Sequence, residues 1–281
     1  MIKRYFTIVI PGKYWKPGEN YTEAICQTVK QLLRTGDVVV LSEKAVSIAK
    51  GCLADEALIR PGLMAKFLVR FWMRIVWGYF LAPVCRLSGI TTRRLRSYPI
   101  REGATHKQLV LKYSGFLQAL RHYSEGGIDV SNVPYSYAVL PLQRPHEIAH
   151  EIYESLHKAS LAEINVLIVD SDKTYTWHAL HISPRSTTVR GIFSLGVLAF
   201  LLGRAFRLRA RSTPIAQAGT PLSAEGALRI AALANRARGS GAGRTVWDMA
   251  ESFGVGLSEV SWESLSGIKH RPVVIVRRIH S

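Results

Sequence analysis

The sequence predicts an α+β fold, and three observations carry that prediction. Short runs of β-branched and apolar residues at 38–41, 164–169 and 272–276 read as buried strands. Longer stretches at 146–158 and 224–237 carry apolar residues at helical spacing. The two kinds of segment mix without the strict alternation of a doubly wound sheet. With 48% apolar residues in 281, the chain has ample material for a packed core, which excludes a disordered or low-complexity protein. The length fits one domain, with a C-terminal lobe beginning at about residue 160.

MIKRYFTIVIPG starts basic, has an apolar run broken by Thr7, and lacks a small-residue cleavage site, so it reads as a first strand rather than a signal peptide. A Pro- and Gly-rich turn follows. Asn20 and Glu23 then have the spacing of a helix cap, with Ala24, Ile25, Val29, Leu32 and Leu33 on one helical face and Gly36 as the stop. The strand at 38–41 and the segment 45–51 close this unit. Residues 62–87 are strongly apolar, yet Lys66, Arg70 and Arg74 form one stripe on a helix. Each such charge costs about 2.5 kcal/mol or more at a bilayer centre, so a membrane span is not expected. The expectation is a helix packed in a core or subunit interface with its cations outward; a basic amphipathic helix lying on a membrane is the alternative. Residues 108–113 and 137–140 read as strands, 245–253 as a short helix, and 192–203 as a buried strand or core helix too short to span.

Lys and Arg number 37 against 20 Asp and Glu, a formal net charge of +17. That excess points to anionic partners: nucleotides, phosphorylated metabolites, nucleic acid or an acidic membrane face. It is placed in clusters, at Arg93, Arg94, Arg96 and Arg101 and at Arg204, Arg207, Arg209 and Arg211. Cys26, Cys52 and Cys85 suggest neither a disulfide framework nor a metal clamp, so a cytoplasmic protein is expected.

Three motifs could carry chemistry. His146-Glu147-Ile148-Ala149-His150 matches H-E-x-x-H, the helix of zinc hydrolases. Its surroundings argue for a solvated helix face instead, because Ile148, Ile152 and Leu156 form the apolar side. Asp129, in the polar turn 126–132, and Asp170, directly after an apolar strand, make a better pair. Carboxylates fixed at strand ends on different segments can share a hard divalent cation, as phosphoryl transfer requires; two solvated turn aspartates are the alternative. The glycines of Gly239-Ser240-Gly241-Ala242-Gly243 would let backbone amides approach an anion, although the G-K-[ST] of a Walker loop is missing and such a run also serves as a linker.

In order along the chain, GDVVVLSEKAVSIAKG at 36–51, GGIDVSN at 126–132, VLPLQRPHEIA at 139–149, NVLIVDS at 165–171, AALANRARGSG at 231–241 and PVVIVR at 272–277 resemble segments of the coenzyme F420-0:gamma-glutamyl ligase family. The resemblance implies an α+β fold in an intertwined homodimer. It implies GTP-dependent addition of L-glutamate to the lactyl-phosphate tail of a deazaflavin, through an acyl phosphate, with two Mg or Mn ions. Asp129, Asp170 and Ser171 match metal-binding positions, and Asn132 matches a nucleotide contact. Gly12, Lys13, Tyr14, Trp15, Glu43 and Lys44 fall at positions lining the nucleotide site, with Gly239 and Gly241 in its glycine loop. The resemblance assigns no catalytic acid or base.

The departures are specific. Ile48 stands where the family has a lysine, Lys50 where it has a glutamate, and Ser240 where it has the metal-binding glutamate of a G-E-G loop. Asp172-Lys173-Thr174 replaces N-G-R, and Ala227-Leu228-Arg229 replaces A-D-E. These changes put GTP use and the second metal in question and make Asp172 a candidate replacement carboxylate. Two other functions compete with the ligase on F420-0: an amide ligase acting on another acid, and a non-catalytic paralogue that binds phosphorylated ligands, nucleic acid or acidic membrane through its arginines.

Overall fold

A computed structural model describes residues 4–279, apart from Ser124, Arg244 and the side chain of Leu257. Residues 1–3 of the expected first strand lie outside the described residues. The strand itself, β1, spans Arg4–Gly12.

Asn20 starts α1 (Tyr21–Val29), its Oδ1 accepting from the Glu23 N–H (3.1 Å) while its Nδ2 donates to Glu23 Oε2 (3.1 Å). The helix ends well before Gly36, earlier than the spacing of Leu32 and Leu33 predicts. The Leu32 and Leu33 amides both bond the Val29 carbonyl, and the Arg34 amide is taken by Asp37 Oδ2 (2.9 Å), which unwinds the last turn. β2 (Val38–Ser42) runs directly into α2 (Glu43–Ala49), and β3 (Leu53–Asp55) follows.

The basic apolar segment is one 22-residue helix, Leu63–Val84. Its ends are α-helical, α3 (Leu63–Phe67) and α4 (Ala82–Val84), and the stretch Leu68–Leu81 between them has the wider π winding. By length and composition it is apolar enough to cross a membrane, and a third of it (33%) is buried in the protein. α5 (Gly89–Arg96), α6 (Ile100–Tyr113) and α7 (Phe116–Ala119) pack beside it. The strand expected at 108–113 is therefore the end of α6. Gly103, Ala104, Lys107 and Val110 are buried at three- and four-residue spacing, so the helical period of the whole segment overrides the short β-like run. The Trp72 and Trp77 indoles both donate to the Leu120 carbonyl (2.8 and 2.7 Å), tying the long helix to the end of this unit.

The remaining elements are β4 (Tyr137–Val139), α8 (Pro145–Ser160), β5 (Asn165–Trp177), β6 (Leu180–Ser183), β7 (Ile192–Ser194), α9 (Val197–Ala205), β8 (Arg209–Ala218), α10 (Ala224–Arg238), α11 (Val246–Phe253), α12 (Trp262–Ser266) and β9 (His270–Ile279). The 192–203 run thus divides into a short strand and a helix. Strand β5 extends past the expected end because β8 pairs along it as far as Thr176 opposite Arg209.

The main sheet runs β1-β9-β2-β5-β6-β7, with β8 also paired to β5. The β2–β5 pair is parallel and β2–β9 antiparallel, so the sheet is mixed and the α+β expectation holds. Helices cover both faces, which explains the unbroken apolar strands. Val39, Leu41, Val166, Ile168 and Ile275 face a core with α1 and α8. Val38, Val40, Leu167, Val169 and Val274 face α10 through Ala227, Ile230 and Ala231.

A buried ionic cluster links the helical unit to the chain before Asp129. His106 sits between Glu56 and Glu125, and the fully buried Lys107 ammonium also meets Glu125. Burial opposes the charge on His106, but Glu125 outweighs it and holds the imidazole up at about 10. Burial likewise opposes the Glu125 carboxylate, which Lys107 and His106 hold down at about 2. His106 has a raised folded pKa, so its stabilisation is complete below the unfolded value of 6.5 and disappears as pH rises through about 10. Glu125 has a lowered one, so its share is complete above 4.5 and is lost as pH falls through about 2. Urea-unfolding midpoints should fall between pH 6.5 and 10 in the parent protein, and His106→Gln should flatten that fall. An identical slope in the variant would show that the pairing adds nothing to stability.

Candidate active site

The candidate residues converge where the start of α2, the irregular stretch of β5 and the turn before β4 meet. Glu43 and Lys44 open α2 at the end of β2. Asp170 lies on β5 where its register against β8 breaks: Asp170 faces Thr213, and the next paired residue is Lys173, opposite Ser212. The intervening Ser171 and Asp172 form a bulge, which turns the strand and re-aims its side chains. Asp129 makes an isolated antiparallel bridge with Val139, its amide donating to the Val139 carbonyl (3.2 Å) and its carbonyl accepting in return (2.8 Å). Glu43, Lys44, Ser47, Gly127, Asp129 and Asp170 thereby line one cavity.

Fixed cations neutralise these carboxylates. Lys44 Nζ lies 2.5 Å from Asp129 Oδ2 and donates to Ser131 Oγ (2.9 Å), while the Ser131 amide donates to Asp129 Oδ1 (2.7 Å). The buried Arg185 guanidinium meets both oxygens of Glu43, donating from Nη2 to Oε1 at 2.8 Å, and donates from Nη1 to Asp170 Oδ2 at 2.6 Å. Burial opposes the Asp170 charge, but Arg185 outweighs it and keeps that carboxyl below its ordinary value. Glu43 is raised, by burial first and then by the charge of Asp170, against the pull of Arg185. Gly127, at φ +92°, leaves the guanidinium its place: a Cβ there would lie 2.3 Å from Arg185 Cζ.

The other half of the site is aromatic and glycine-rich. The buried Tyr14 donates its hydroxyl proton to the Asn132 carbonyl (2.6 Å). The Asn132 side chain holds the glycine loop, accepting from the Ala242 amide (2.8 Å) and donating to the Gly243 carbonyl (3.0 Å). Gly241 (φ +64°) passes so close that a Cβ would lie 2.6 Å from Asn132 Oδ1. His270 donates from Nδ1 to the Lys13 carbonyl (2.9 Å) and contacts the Tyr14 and Trp15 rings. Burial pushes its imidazole down to about 4. Arg238, at the end of α10, bonds Asn235 Oδ1 (2.7 Å). Burial pushes its guanidinium down to about 10, with Asp170 only partly restoring it. Arg238 also disfavours charge on His270, so its field links the two halves.

The structure thus brings Glu43, Lys44, Asp129 and Asp170 to one cavity, and Tyr14, Asn132 and Gly241 to one loop junction. Ser171 is exposed, with its hydroxyl 3.5 Å from Asp170 Oδ1. Gly12, Lys13, Gly239 and Ser240 are exposed, and Trp15 is buried. Ile48 packs among Tyr14, Val133 and Val139, so an apolar cluster occupies the position of the family lysine. Asp172 is buried against Arg121 Nη1 (2.8 Å) and does not line the cavity, contrary to the replacement-carboxylate idea. His146 and His150 are about 60 and 67% exposed and lie 3.9 and 3.8 Å from Glu147 and Glu154, with His150 also stacked on the Tyr153 ring, a solvated helix face as the sequence reading expects. Sequence reasoning missed Arg185, Arg238 and His270. Arg238 stands directly before the glycine run, a usable signal; Arg185 sits in an unremarkable loop sequence, ISPRST.

Among the described residues, no group of three or more His, Cys, Asp or Glu side chains could cage a metal. Two carboxylates on one cavity still suit a hard ion such as Mg, which is commonly held by one or two carboxylates together with substrate phosphates and water. The donor set fits one such cation. A second lacks its carboxylate, because residue 240 is a serine and Asp172 is engaged by Arg121.

Fold and site define a mixed α+β protein in which Asp129, Asp170 and Lys44 line one cavity and Asn132, three residues past Asp129, holds a glycine loop. The chain belongs to the F420-0:gamma-glutamyl ligase family, whose model matches residues 10–192. It is also 31% identical, over 95% of its length and 94% of the relative's, to uncharacterized protein MJ1361 of Methanocaldococcus jannaschii.

Removing Arg185 would leave Glu43 and Asp170 with uncompensated buried charge. Arg185→Leu should destabilise the protein by about 3–5 kcal/mol in urea unfolding, with Mn restoring part of the loss. A loss under about 1 kcal/mol would mean that water screens the trio.

Proposed function

We propose that the protein is a GTP- and metal-dependent ligase that joins L-glutamate through an amide bond to the carboxylate of coenzyme F420-0 or a closely related phosphate-bearing acid. The observation that carries this reading is the meeting of Asp129 and Asp170 on one cavity, in a chain of this family. In the first step a carboxylate oxygen of the acid attacks the γ-phosphorus of GTP and GDP departs. In the second, the glutamate amine attacks the acyl carbon, loses a proton and expels inorganic phosphate. Both steps place negative charge among Lys44, Arg185 and Arg238, and fixed cations of this kind stabilise a transferring phosphoryl group. Arg238 has the least carboxylate compensation of the three and is the cation assigned to the nucleotide phosphates. Asn132 positions the loop amides near Gly241 for the same purpose. Asp129 and Asp170 would hold one Mg or Mn ion, which supplies Lewis-acid charge when bound.

The acid has a route to this site. A broad crevice lined by Arg60, Arg94, Arg101, Tyr135 and Trp247 opens beside Asp129 and Ser131. Its arginines suit a phosphodiester and its aromatic rings a flat heterocycle. The active form is taken to be a homodimer in the cytoplasm, as the family resemblance implies. A second reading, a binding paralogue without catalysis, is favoured by one observation: Ile48 is buried in an apolar cluster where the family has a lysine.

Calorimetry with GTP tests the choice. Binding should require Mn or Mg and should weaken at least about tenfold in Asp129→Ala, the scale of a lost charge-assisted contact. Binding without metal, or none under any condition, would favour the paralogue.

A further inference from the structure

The helix Leu63–Val84 carries a surface that the ligase reading does not use. Its buried side is formed by Leu68, Val69, Met73 and Trp77, packed within the helical unit. Its outer side shows Leu63, Phe67, Phe71, Ile75 and Tyr79, between 43 and 86% exposed. These positions repeat every four residues and so fall along one broad side of the helix. Met64, Phe80 and Val84 are exposed as well. A continuous row of large apolar side chains left in water marks an interaction surface.

A row of cations runs beside it. Lys66, Arg70 and Arg74 each stand one position before a member of the apolar row. Lys66 and Arg70 are exposed, and Arg74 donates to the Arg96 carbonyl (2.9 Å), which fixes it at the same edge. The far end of the helix adjoins α9. Arg204 donates to the carbonyls of Cys85 and Arg86 (2.9 Å each), and α9 exposes Leu198 and Leu202, followed by the exposed Phe206 and Arg207.

We propose that this face docks on an anionic lipid bilayer, with the helix lying in the interface plane and its apolar row sunk among the acyl chains. Two features select that occupant. The charge of the face and the +17 of the chain are complementary to acidic headgroups. A second copy seated through the same face would bring two sets of Lys66, Arg70 and Arg74 into one contact, and these cations would repel each other. The helix lies on the membrane rather than crossing it, because its other side is fastened by the bonds of Trp72 and Trp77 to the Leu120 carbonyl. The proposal is independent of the ligase reading, since none of these side chains lines the cavity.

Vesicle flotation of the full-length protein is the test, with phosphatidylcholine alone and with phosphatidylcholine containing phosphatidylglycerol. The protein should float with the anionic vesicles only, less as salt rises. Lys66→Glu/Arg70→Glu/Arg74→Glu should lower the partition coefficient about a hundredfold, from the known contribution of each basic residue near such a surface. Phe67→Ser/Phe71→Ser should also abolish flotation, and these exposed changes should leave the thermal melt intact. Failure of the parent protein to float with anionic vesicles overturns the proposal. So does a dimer in sedimentation velocity that Phe67→Ser/Phe71→Ser dissolves while vesicle binding is absent, since a second copy would then cover the face.

Discussion

The contact on which the site depends is the Arg185 guanidinium between Glu43 and Asp170. Glu43 opens α2 directly after β2, Asp170 stands just before the bulge in β5, and those strands are parallel neighbours in the sheet. β2 ends at Ser42, opposite Val169, and Asp170 is the next residue of β5, so the two carboxylates meet at the edge where β2 stops and β5 runs on. Two buried carboxylates at that edge would repel each other and pay the desolvation of two charges. Arg185 offsets the repulsion and part of the desolvation, which still leaves Glu43 raised, and Gly127 gives the guanidinium its room. The same arrangement leaves Asp170 ionised and rigid while lifting Glu43, so two carboxylates a short distance apart have different proton affinities.

That frame explains which sequence readings were reliable. The buried strands at 38–41, 164–169 and 272–276 were legible because both sheet faces are covered and, Asn165 apart, every residue in them is apolar. Asp129 and Asp170 were legible through their position beside turns and apolar runs. The error at 108–113 came from reading a six-residue window in a 14-residue helix whose burial period only shows over its full length. Lys107 made this harder, since a fully buried lysine looks like a surface residue in sequence. The helix end near Gly36 was misplaced because the Asp37 side chain takes the Arg34 amide three residues before it, a turn contact that competes with the last helical turn. Arg185 could not be found without the fold: its partners Glu43 and Asp170 are brought to it by strand pairing and by no local pattern.

The excess of positive charge separates into distinct uses. Arg185 and Arg121 are buried partners of Asp170, Glu43 and Asp172 and are structural counter-charges. Arg60, Arg94 and Arg101 line the crevice beside Asp129, with Arg94 lying over the Trp247 ring at 4.6 Å. Lys66, Arg70 and Arg74 edge an apolar helix face. Net charge alone therefore says little about any one ligand, and the geometry assigns each cluster separately. The helical unit takes part in two of these uses, since it walls the crevice with α5 and α6 and presents the apolar row on its long helix.

The most direct measurement is anomalous diffraction from crystals soaked with Mn and a non-hydrolysable GTP analogue. One manganese peak between Asp129 and Asp170 is expected, with the nucleotide phosphates reaching it from the side of Arg238 and the Gly241 loop. A second peak beside Ser240, or none in the cavity, would contradict a site built for a single cation.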